Sequence, residues 1–227
     1  MVLTVHHLGV SQSERIVWLC EELGIQYELK KYNRAPLLSP PEYQALHPIG
    51  AAPVITDGNI TLAESEACVE YIINIHGKGA LTVKPGQDNY ADYLYWLHFT
   101  NGSLQPAIGR ALVIATMPGA GDSDSPILAR FVKRLKQYFA LIDGRLENAT
   151  WLAGDEFTAA DIMMMFSLST MRKFSPQDLS EYPNILAWFQ RVVKRDGYQR
   201  AMKKGEPDLD VQDLIQGPPP KKFAAMP

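Results

Sequence analysis

The stretch HLGVSQSERIVWLCEELG, residues 7–24, runs from the end of a predicted strand through a polar turn into an amphipathic helix. Its apolar residues recur at helical spacing, and Gly24 follows them as the expected helix end. These apolar residues are Ile16, Leu19, Cys20 and Leu23. The turn carries two serines, Ser11 and Ser13. Because a helix N-terminus leaves N–H groups unpaired, hydroxyls at this turn either cap the helix or face a ligand.

The segments on either side extend this unit into a small mixed sheet surrounded by helices. LTVHHL and YELKKYN have the pattern of strands, and SPPEYQAL predicts a short helix with Pro41 in its first turn. APVITDGNITL predicts a hairpin around DGN, residues 57–59. ESEACVEYIINIHG predicts a helix that places Cys68, Ile72 and Ile75 on one face. This element order implies one parallel and one antiparallel strand pair.

The Gly- and Pro-containing segment GKGALTVKPGQDN separates this α/β unit from a helical remainder. Asn89 is expected to cap a long helix from Tyr90 to about Thr116, and MPGAGDSDSP interrupts the pattern. Further helices are predicted from Pro126 to Asn148, near Thr158 and near Pro183. We divide the chain into an α/β domain (1–80), a linker (81–89), an all-helical domain (90–216) and a flexible Pro-rich tail (217–227).

Composition excludes several classes of partner. The 227 residues carry a formal net charge of -3 without a basic block, so neither nucleic acid nor an anionic membrane surface is expected to bind. No signal-peptide pattern and no membrane-spanning apolar run is evident, which predicts a cytoplasmic location. Cys20 and Cys68 lack a metal-binding spacing, and His6 and His7 face opposite sides of one strand, so no metal site is expected.

Pro53 stands directly before a predicted strand, in GAAPVI. A trans proline at a strand start needs no further explanation, because proline cannot donate to the ladder there. A cis bond between Ala52 and Pro53 would instead turn the Ala52 N–H and C=O outward, where they could pair with an extended peptide ligand. The spacing alone favours the trans interpretation.

Two other positions also have a structural and a functional interpretation. Glu64 and Ser65 begin a helix, where they either cap it or bind the ammonium and carboxylate of an α-amino acid. Ser11 and Glu14 fit the S-x-x-E capping box, in which each residue would bond the other's N–H. The alternative is that the Ser11 hydroxyl faces a ligand sulfur and favours its thiolate form. The turn alone favours the cap.

Taken together, the motifs SQSER, HPIGAAPVI, LAESEA and WLAGDEFTAADI resemble those of the glutathione transferases, over residues 3 to about 216. The segment YWLHFTNGSLQPAI is similar to a fungal and bacterial branch of that family. The resemblance implies an α/β thioredoxin-like N-terminal domain followed by an all-α C-terminal helical domain. It also implies a homodimer in which each first domain packs on the partner's second domain.

The resemblance assigns roles to individual residues. Ser11 matches the catalytic serine of the serine-type, theta-like classes, with Ser13 as the other hydroxyl that could contact the sulfur. Ala52 matches the residue whose backbone pairs with the cysteinyl unit of glutathione, and Pro53 matches the cis proline. Glu64 and Ser65 match the pair that holds the γ-glutamyl end.

The chain also departs from the family pattern. His6 and His7 occupy the region where many members carry a tyrosine, and no cysteine lies at the active position. Ala51 replaces a polar residue, so the contact with the glycine carboxylate is expected to be missing or to come from His47 or another residue.

The second domain adds a folding motif and a predicted pocket. Thr158 and Asp161 form a capping box, with Phe157 placed for a hydrophobic staple, and we interpret this motif as a folding element. Because the family lines its second-substrate pocket from the first helix of this domain, four residues there are expected to lie near that pocket. They are Phe99, Asn101, Leu104 and Ile108.

The resemblance predicts an enzyme that binds the glutathione thiol as a thiolate for attack on a small hydrophobic electrophile. Glutathione is then a co-substrate, and no cofactor is expected. Two alternatives remain at this stage. One is glutathione-dependent peroxidase or isomerase activity at the same site. The other is a non-catalytic protein that binds glutathione or hydrophobic ligands.

Overall fold

The first domain is built on a four-stranded sheet with strand order β2-β1-β3-β4. The computed structural model describes residues 2–117 and 125–224. β1 pairs parallel with β2 and antiparallel with β3, and β3 pairs antiparallel with β4. The elements are β1 (Leu3–Leu8), α1 (Glu14–Leu23), β2 (Tyr27–Tyr32), α2 (Pro41–Gln44), β3 (Val54–Asp57), β4 (Ile60–Ala63) and α3 (Ser65–Ile75). The predicted element order and mixed sheet of this domain are confirmed.

Local signals explain the boundaries of these elements. α1 ends at Gly24, which adopts the left-handed conformation (φ 64°) and donates its N–H to the carbonyl of Cys20. The β3–β4 hairpin turns at Gly58, also at positive φ (58°).

One prediction for α3 is wrong: Ile75 is 61% exposed, and Ile73 is buried instead, as are Cys68 and Ile72.

The second domain is entirely helical in the part of the chain that the structure describes. Its elements are α4 (Tyr90–Phe99), a π-helical stretch (Thr100–Leu104), α5 (Gln105–Thr116), α6 (Pro126–Asn148), α7 (Ala159–Leu168), a 3₁₀ turn (Thr170–Lys173), α8 (Pro183–Val192), α9 (Asp196–Gly205) and α10 (Val211–Leu214). The predicted long helix is confirmed as a continuous run with a π-helical insertion. α9 and α10 were not predicted. Most of the predicted break MPGAGDSDSP lies outside the described residues.

Two predicted caps have different outcomes. Thr158 and Asp161 form the predicted capping box at the start of α7, with the Thr158 N–H donating to Asp161 at 3.1 Å. Asp161 also accepts from Leu152 and from the indole of Trp188, so this buried carboxylate ties α7 to α8. Asn89 does not cap α4; its amide donates instead to the carbonyl of Ala153.

The apolar core is continuous between the two domains. Trp18 of α1 contacts the rings of Phe157 and Tyr198, with centroids 5.5 and 5.0 Å apart. α9 lies so close to α1 that a Cβ on Gly197 would be 2.8 Å from the Cα of Glu22. The small residue therefore allows the two domains to pack directly.

Residues 217–224, which belong to the predicted flexible tail, contact the second domain. The buried guanidinium of Arg172 donates to a series of carbonyls near the chain end, which fixes that segment against the second domain. These carbonyls belong to Leu214, Gln216, Gly217 and Pro218. Phe223 packs against Phe174 with the rings tilted and their centroids 5.1 Å apart. Across the described residues, no helix combines the length and apolarity needed to cross a membrane.

Candidate functional site

A cavity of about 660 Å³ opens between the two domains, within the size range of small-molecule sites. The first domain contributes the turn after β1, the loop after β2 and the residues before β3. The second domain contributes α5, α7 and the segment after it. The lining residues include Ser11, Gln12, Arg34, Leu37, Leu38, Ser39, Ala51, Ala52, Gln105, Phe166, Met171 and Phe174. The wall is therefore polar near Ser11 and largely apolar on the side of the second domain.

Ser11 lies on the cavity wall, three residues before the first residue of α1. Its Oγ donates to the carbonyl of Leu8 at 2.7 Å and lies 2.8 Å from Oγ of Ser13. Ser13 is fully buried behind it and does not line the cavity. Of the two hydroxyls, the one that can reach a ligand in this cavity belongs to Ser11.

The capping box predicted for α1 is wrong. The helix begins at Glu14, and the Glu14 N–H donates to the backbone carbonyl of Ser11, not to its hydroxyl. The Glu14 carboxyl accepts from Thr170 at 2.8 Å, deep between the domains. Burial raises the pKa of Glu14 to about 8. Packing against the second domain thus removes the Glu14 carboxyl from the local motif, while the Ser11 hydroxyl donates to Leu8 within the first domain.

The peptide bond between Ala52 and Pro53 is cis. The trans interpretation favoured by the spacing is therefore wrong. Ala52 lies on the cavity wall, and its carbonyl accepts from the side-chain amide of Gln12 at 2.9 Å. Oε1 of Gln12 lies 3.5 Å from Oγ of Ser65 at the start of α3. Gln12 thus connects the three predicted loops of the first domain.

Arg15 is a fully buried cation at the domain boundary. Its guanidinium donates to neutral oxygens from both domains: Gln12, Ser65, Asn101, Gln105 and Ser167. Burial lowers its pKa to about 9. Asn101 lies in the π-helical stretch, where the irregular backbone lets its side chain contact both Arg15 and Ser65. We call this set of residues the Arg15 network.

Three other predicted glutathione contacts, Ser65, Glu64 and His47, do not line the cavity. Ser65 is buried, and its hydroxyl accepts a hydrogen bond from Arg15. Ser65 is also the first residue of α3, so its backbone N–H belongs to the N-terminal end of that helix. Glu64 is exposed at that helix end, with positive φ (70°). His47 is half-buried, and its ring accepts from the N–H of Ile49 at 3.3 Å.

The four residues expected near a hydrophobic pocket do not line this cavity. Phe99, Leu104 and Ile108 are core residues that do not line the cavity, and Asn101 belongs to the Arg15 network. Three residues of α5 line the cavity instead: Gln105, Leu112 and Val113. The π-helical stretch shifts the helical register by part of a turn, so regular spacing could not identify the exposed face.

Both halves of the chain match family models. Residues 1–74 match Glutathione S-transferase, N-terminal domain, and residues 104–196 match Glutathione S-transferase, C-terminal domain. Glutathione S-transferase 3 of Schizosaccharomyces pombe is 32% identical over 223 residues, which cover 90% of this chain and 88% of that protein. The chain belongs to the glutathione S-transferase family. The resemblance drawn from the sequence motifs is thereby confirmed at the level of the family.

Two other comparisons agree with this assignment. Glutathione S-transferase 1 of Saccharomyces cerevisiae is 28% identical over 89% of this chain and 95% of its own length. The crystal structure of a glutathione S-transferase from Actinobacillus pleuropneumoniae is 31% identical and covers 93% of this chain and 96% of that one, with a TM-score of 0.83. The thioredoxin-like first domain and the all-helical second domain are thus confirmed.

Several residues that shape the site of this glutathione transferase were not predicted as site residues. Gln12 and Arg15 lie inside the SQSER motif, but only the serines were interpreted chemically. Arg34 lines the cavity and donates to the carbonyls of Gly9 and Val10, which fixes the turn before Ser11. A lone arginine in a loop gives no sequence signal for such a role.

Proposed function

We propose that this glutathione transferase is a serine-type, theta-like enzyme in which Ser11 holds the sulfur of glutathione as a thiolate. The observation that carries the proposal is the position of Ser11 Oγ on the wall of the interdomain cavity, just before α1. A hydroxyl donor and a helix N-terminus both stabilise an anion more than a neutral thiol. The free thiol has a pKa of about 8.5, and lowering it by about two units takes roughly 2.7 kcal/mol of preferential thiolate binding.

The remainder of glutathione would lie along the first domain. In this proposal the backbone of Ala52, exposed by the cis bond to Pro53, pairs with the cysteinyl unit. Glu64 binds the ammonium of the γ-glutamyl end, and the N–H of Ser65 binds its carboxylate. The exposed position of Glu64 at the start of α3 supports this assignment. His47 is the proposed partner of the glycine carboxylate.

The apolar side of the cavity supports a small hydrophobic electrophile as the second substrate. Leu38, Phe166 and Phe174 face the same space as Ser11. We propose that the thiolate attacks an electrophilic carbon held there, which forms a carbon–sulfur bond and consumes glutathione as a co-substrate. Holding both reactants in one site adds the advantage of proximity. The chemistry needs no metal or nucleotide cofactor.

The decisive experiment is ultraviolet difference absorbance of bound glutathione as thiolate, recorded against pH. We expect a thiolate signal at neutral pH in the wild type and its loss in Ser11→Ala. Ser180→Ala removes an exposed hydroxyl from a remote loop and should leave the signal unchanged. A signal that survives in Ser11→Ala would mean that another group stabilises the thiolate.

The same titration distinguishes the proposal from the alternatives. Glutathione bound only as the neutral thiol, or not bound, would favour a carrier of hydrophobic ligands. A normal thiolate signal with turnover of hydroperoxides, but not of halogenated or unsaturated electrophiles, would favour peroxidase activity. Both outcomes retain the fold and change the reaction assigned to the cavity.

We also propose that the protein forms a homodimer in the cytoplasm. Exposed apolar side chains on α4 and α6 supply apolar surface that a partner subunit would bury. They include Leu94, Tyr95, Val132 and Leu141. Light scattering would report twice the mass of one chain, and a monomer mass would contradict the dimer.

A further inference from the structure

A line of buried polar groups leads from Ser11 away from the cavity to a carboxylate. Oγ of Ser11 lies 2.8 Å from Oγ of Ser13, which lies 2.8 Å from Nδ1 of His7. On the other side of the ring, Nε2 of His7 lies 3.0 Å from Oε1 of Glu206. His7 and Ser13 are fully buried, and Ser11 is the member that reaches the cavity. We call these four residues the buried relay.

The relay uses the neutral tautomer of the imidazole that has its hydrogen on Nε2, the nitrogen that lies 3.0 Å from the Glu206 carboxylate. Nδ1 then has a lone pair and accepts from Ser13. Oγ of Ser13 also accepts from the N–H of Leu8 at 3.1 Å, which fixes the hydroxyl between the ring and Ser11.

We propose that the buried relay takes up the proton of the glutathione thiol, an inference that rests on the function proposed above. The S–H bond breaks, and its proton passes to Oγ of Ser11. The Ser11 hydroxyl turns its hydrogen from the carbonyl of Leu8 to Oγ of Ser13 and passes that proton on, and Ser13 passes its own proton to Nδ1 of His7. Each serine gains one proton and loses one, the sulfur keeps the electron pair, and the imidazole becomes an imidazolium. Every hydrogen bond of the line then points toward the thiolate.

The surroundings of His7 suit an imidazolium. Glu206 supplies the negative charge, and its Oε1 is held in place by the N–H of Val10. Two other titratable groups interact electrostatically with Glu206: the Arg34 guanidinium after β2 and, when it is ionised, the Glu14 carboxyl on α1. Gly205 leaves room for the ring, because a Cβ at that position would be only 3.3 Å from Nε2. His7 and Ser13 act through Ser11, so they are positioning residues for the reaction.

The test counts protons in the wild type at a pH of about 7.5, where free histidine is neutral and the free thiol is protonated. Calorimetric titration with glutathione in two buffers of different ionisation enthalpy gives the protons released on binding. The same titration with S-methylglutathione, which has no thiol proton, gives the background. Ultraviolet absorbance gives the thiolate formed. We expect nearly complete thiolate formation with fewer than about 0.3 protons released per thiolate.

Two outcomes of this measurement contradict different claims. Release of about one proton per thiolate would overturn the relay and leave the proposed function intact. Absence of thiolate in the wild type would instead contradict the proposed function itself. Neither result depends on whether a variant folds.

His7→Asn tests the titrating group directly, because its amide can still contact Ser13 but cannot take up a proton. We expect the pH midpoint of thiolate formation to rise by at least about one unit, with about one proton released per thiolate. Binding of S-methylglutathione should change by less than about threefold. An unchanged midpoint and proton count in His7→Asn would overturn the relay.

His6→Asn is the matched control. His6 neighbours His7 on β1 but contacts Tyr32 and Thr56 on the other side of the sheet. In His6→Asn, the pH midpoint of thiolate formation and the number of protons released per thiolate should equal those of the wild type. Ser13→Ala interrupts the line while keeping both Ser11 and His7, and it should release the full proton as His7→Asn does. A wild-type proton count in Ser13→Ala would exclude passage through that hydroxyl.

Discussion

Arg15 donates to the hydroxyl of Ser65 at 3.1 Å, and both side chains are closed to solvent. The same nitrogen, Nη1, donates to Oδ1 of Asn101 in the second domain at 3.2 Å. The start of α3 and the π-helical stretch are therefore joined through one guanidinium. Because the oxygens around it are neutral, the geometry of the donors matters more than charge neutralisation.

We expect Arg15→Lys to lower the free energy of unfolding by about 2–4 kcal/mol, since an ammonium cannot replace a planar five-donor group among buried acceptors. Urea unfolding with linear extrapolation measures the loss. Arg134→Lys, at an exposed position on α6, is the matched control and should cost less than about 0.5 kcal/mol. Equal losses in the two variants would show that the Arg15 network does not stabilise the domain boundary.

Asp161 supports a second prediction, on the stability of the helical domain. Oδ1 accepts from Leu152 and Trp188, and Oδ2 accepts from the Thr158 N–H. Asp161→Asn turns an amide N–H₂ toward one of these donor sets, so we expect a loss of about 2–3 kcal/mol in urea unfolding. Asp155→Asn, on an exposed loop, should be nearly neutral. An equally small change at Asp161 would mean that the carboxylate is not required.

The elements that the sequence predicted well have strong local signals. Gly24 ends α1, the Gly58 turn forms the β3–β4 hairpin, and the Thr158 box starts α7. α9 lacked such a signal, because it packs through small residues. Gly197 meets the backbone of Glu22, and a search for large apolar residues at helical spacing does not detect that contact.

The sequence predicts site residues only where they lie in a recognisable motif. Ser11 and Ala52, which the family motifs single out, both line the cavity, but the partners of Arg15 come from distant segments without periodicity. Glu206 follows the unpredicted α9, so its approach to His7 required the three-dimensional structure. Packing between the domains, which local patterns do not encode, determines these contacts.

Glu14 should make the stability of the protein depend on pH. Its pKa is raised to about 8 by burial, so between about 4.5 and about 8 the folded chain holds a proton that the unfolded chain has released. The free energy of unfolding contributed by this group therefore falls as pH rises through that window. Glu14→Gln keeps an acceptor for Thr170 without the titration.

We expect the stability difference between Glu14→Gln and the wild type to shift in favour of the variant as pH rises. From about pH 5 to about pH 9 the shift should be at least 1.4 kcal/mol, which corresponds to one unit of pKa. Urea unfolding at several pH values measures it. Glu156→Gln, at an exposed position, should show a constant difference across the range. A constant difference for Glu14→Gln would contradict the raised pKa.

Arg172 should protect the C-terminal segment from cleavage by trypsin. Its guanidinium donates to the carbonyls of Gly217 and Pro218, and Arg172→Ala removes these bonds. We expect trypsin to cleave after Lys221 at least about tenfold faster in this variant, since local opening then costs less free energy. Mass spectrometry should detect loss of the C-terminal segment alone, while circular dichroism shows that the domains stay folded. Equal cleavage rates in the wild type and Arg172→Ala would indicate that other contacts, such as that of Phe223 with Phe174, hold the segment.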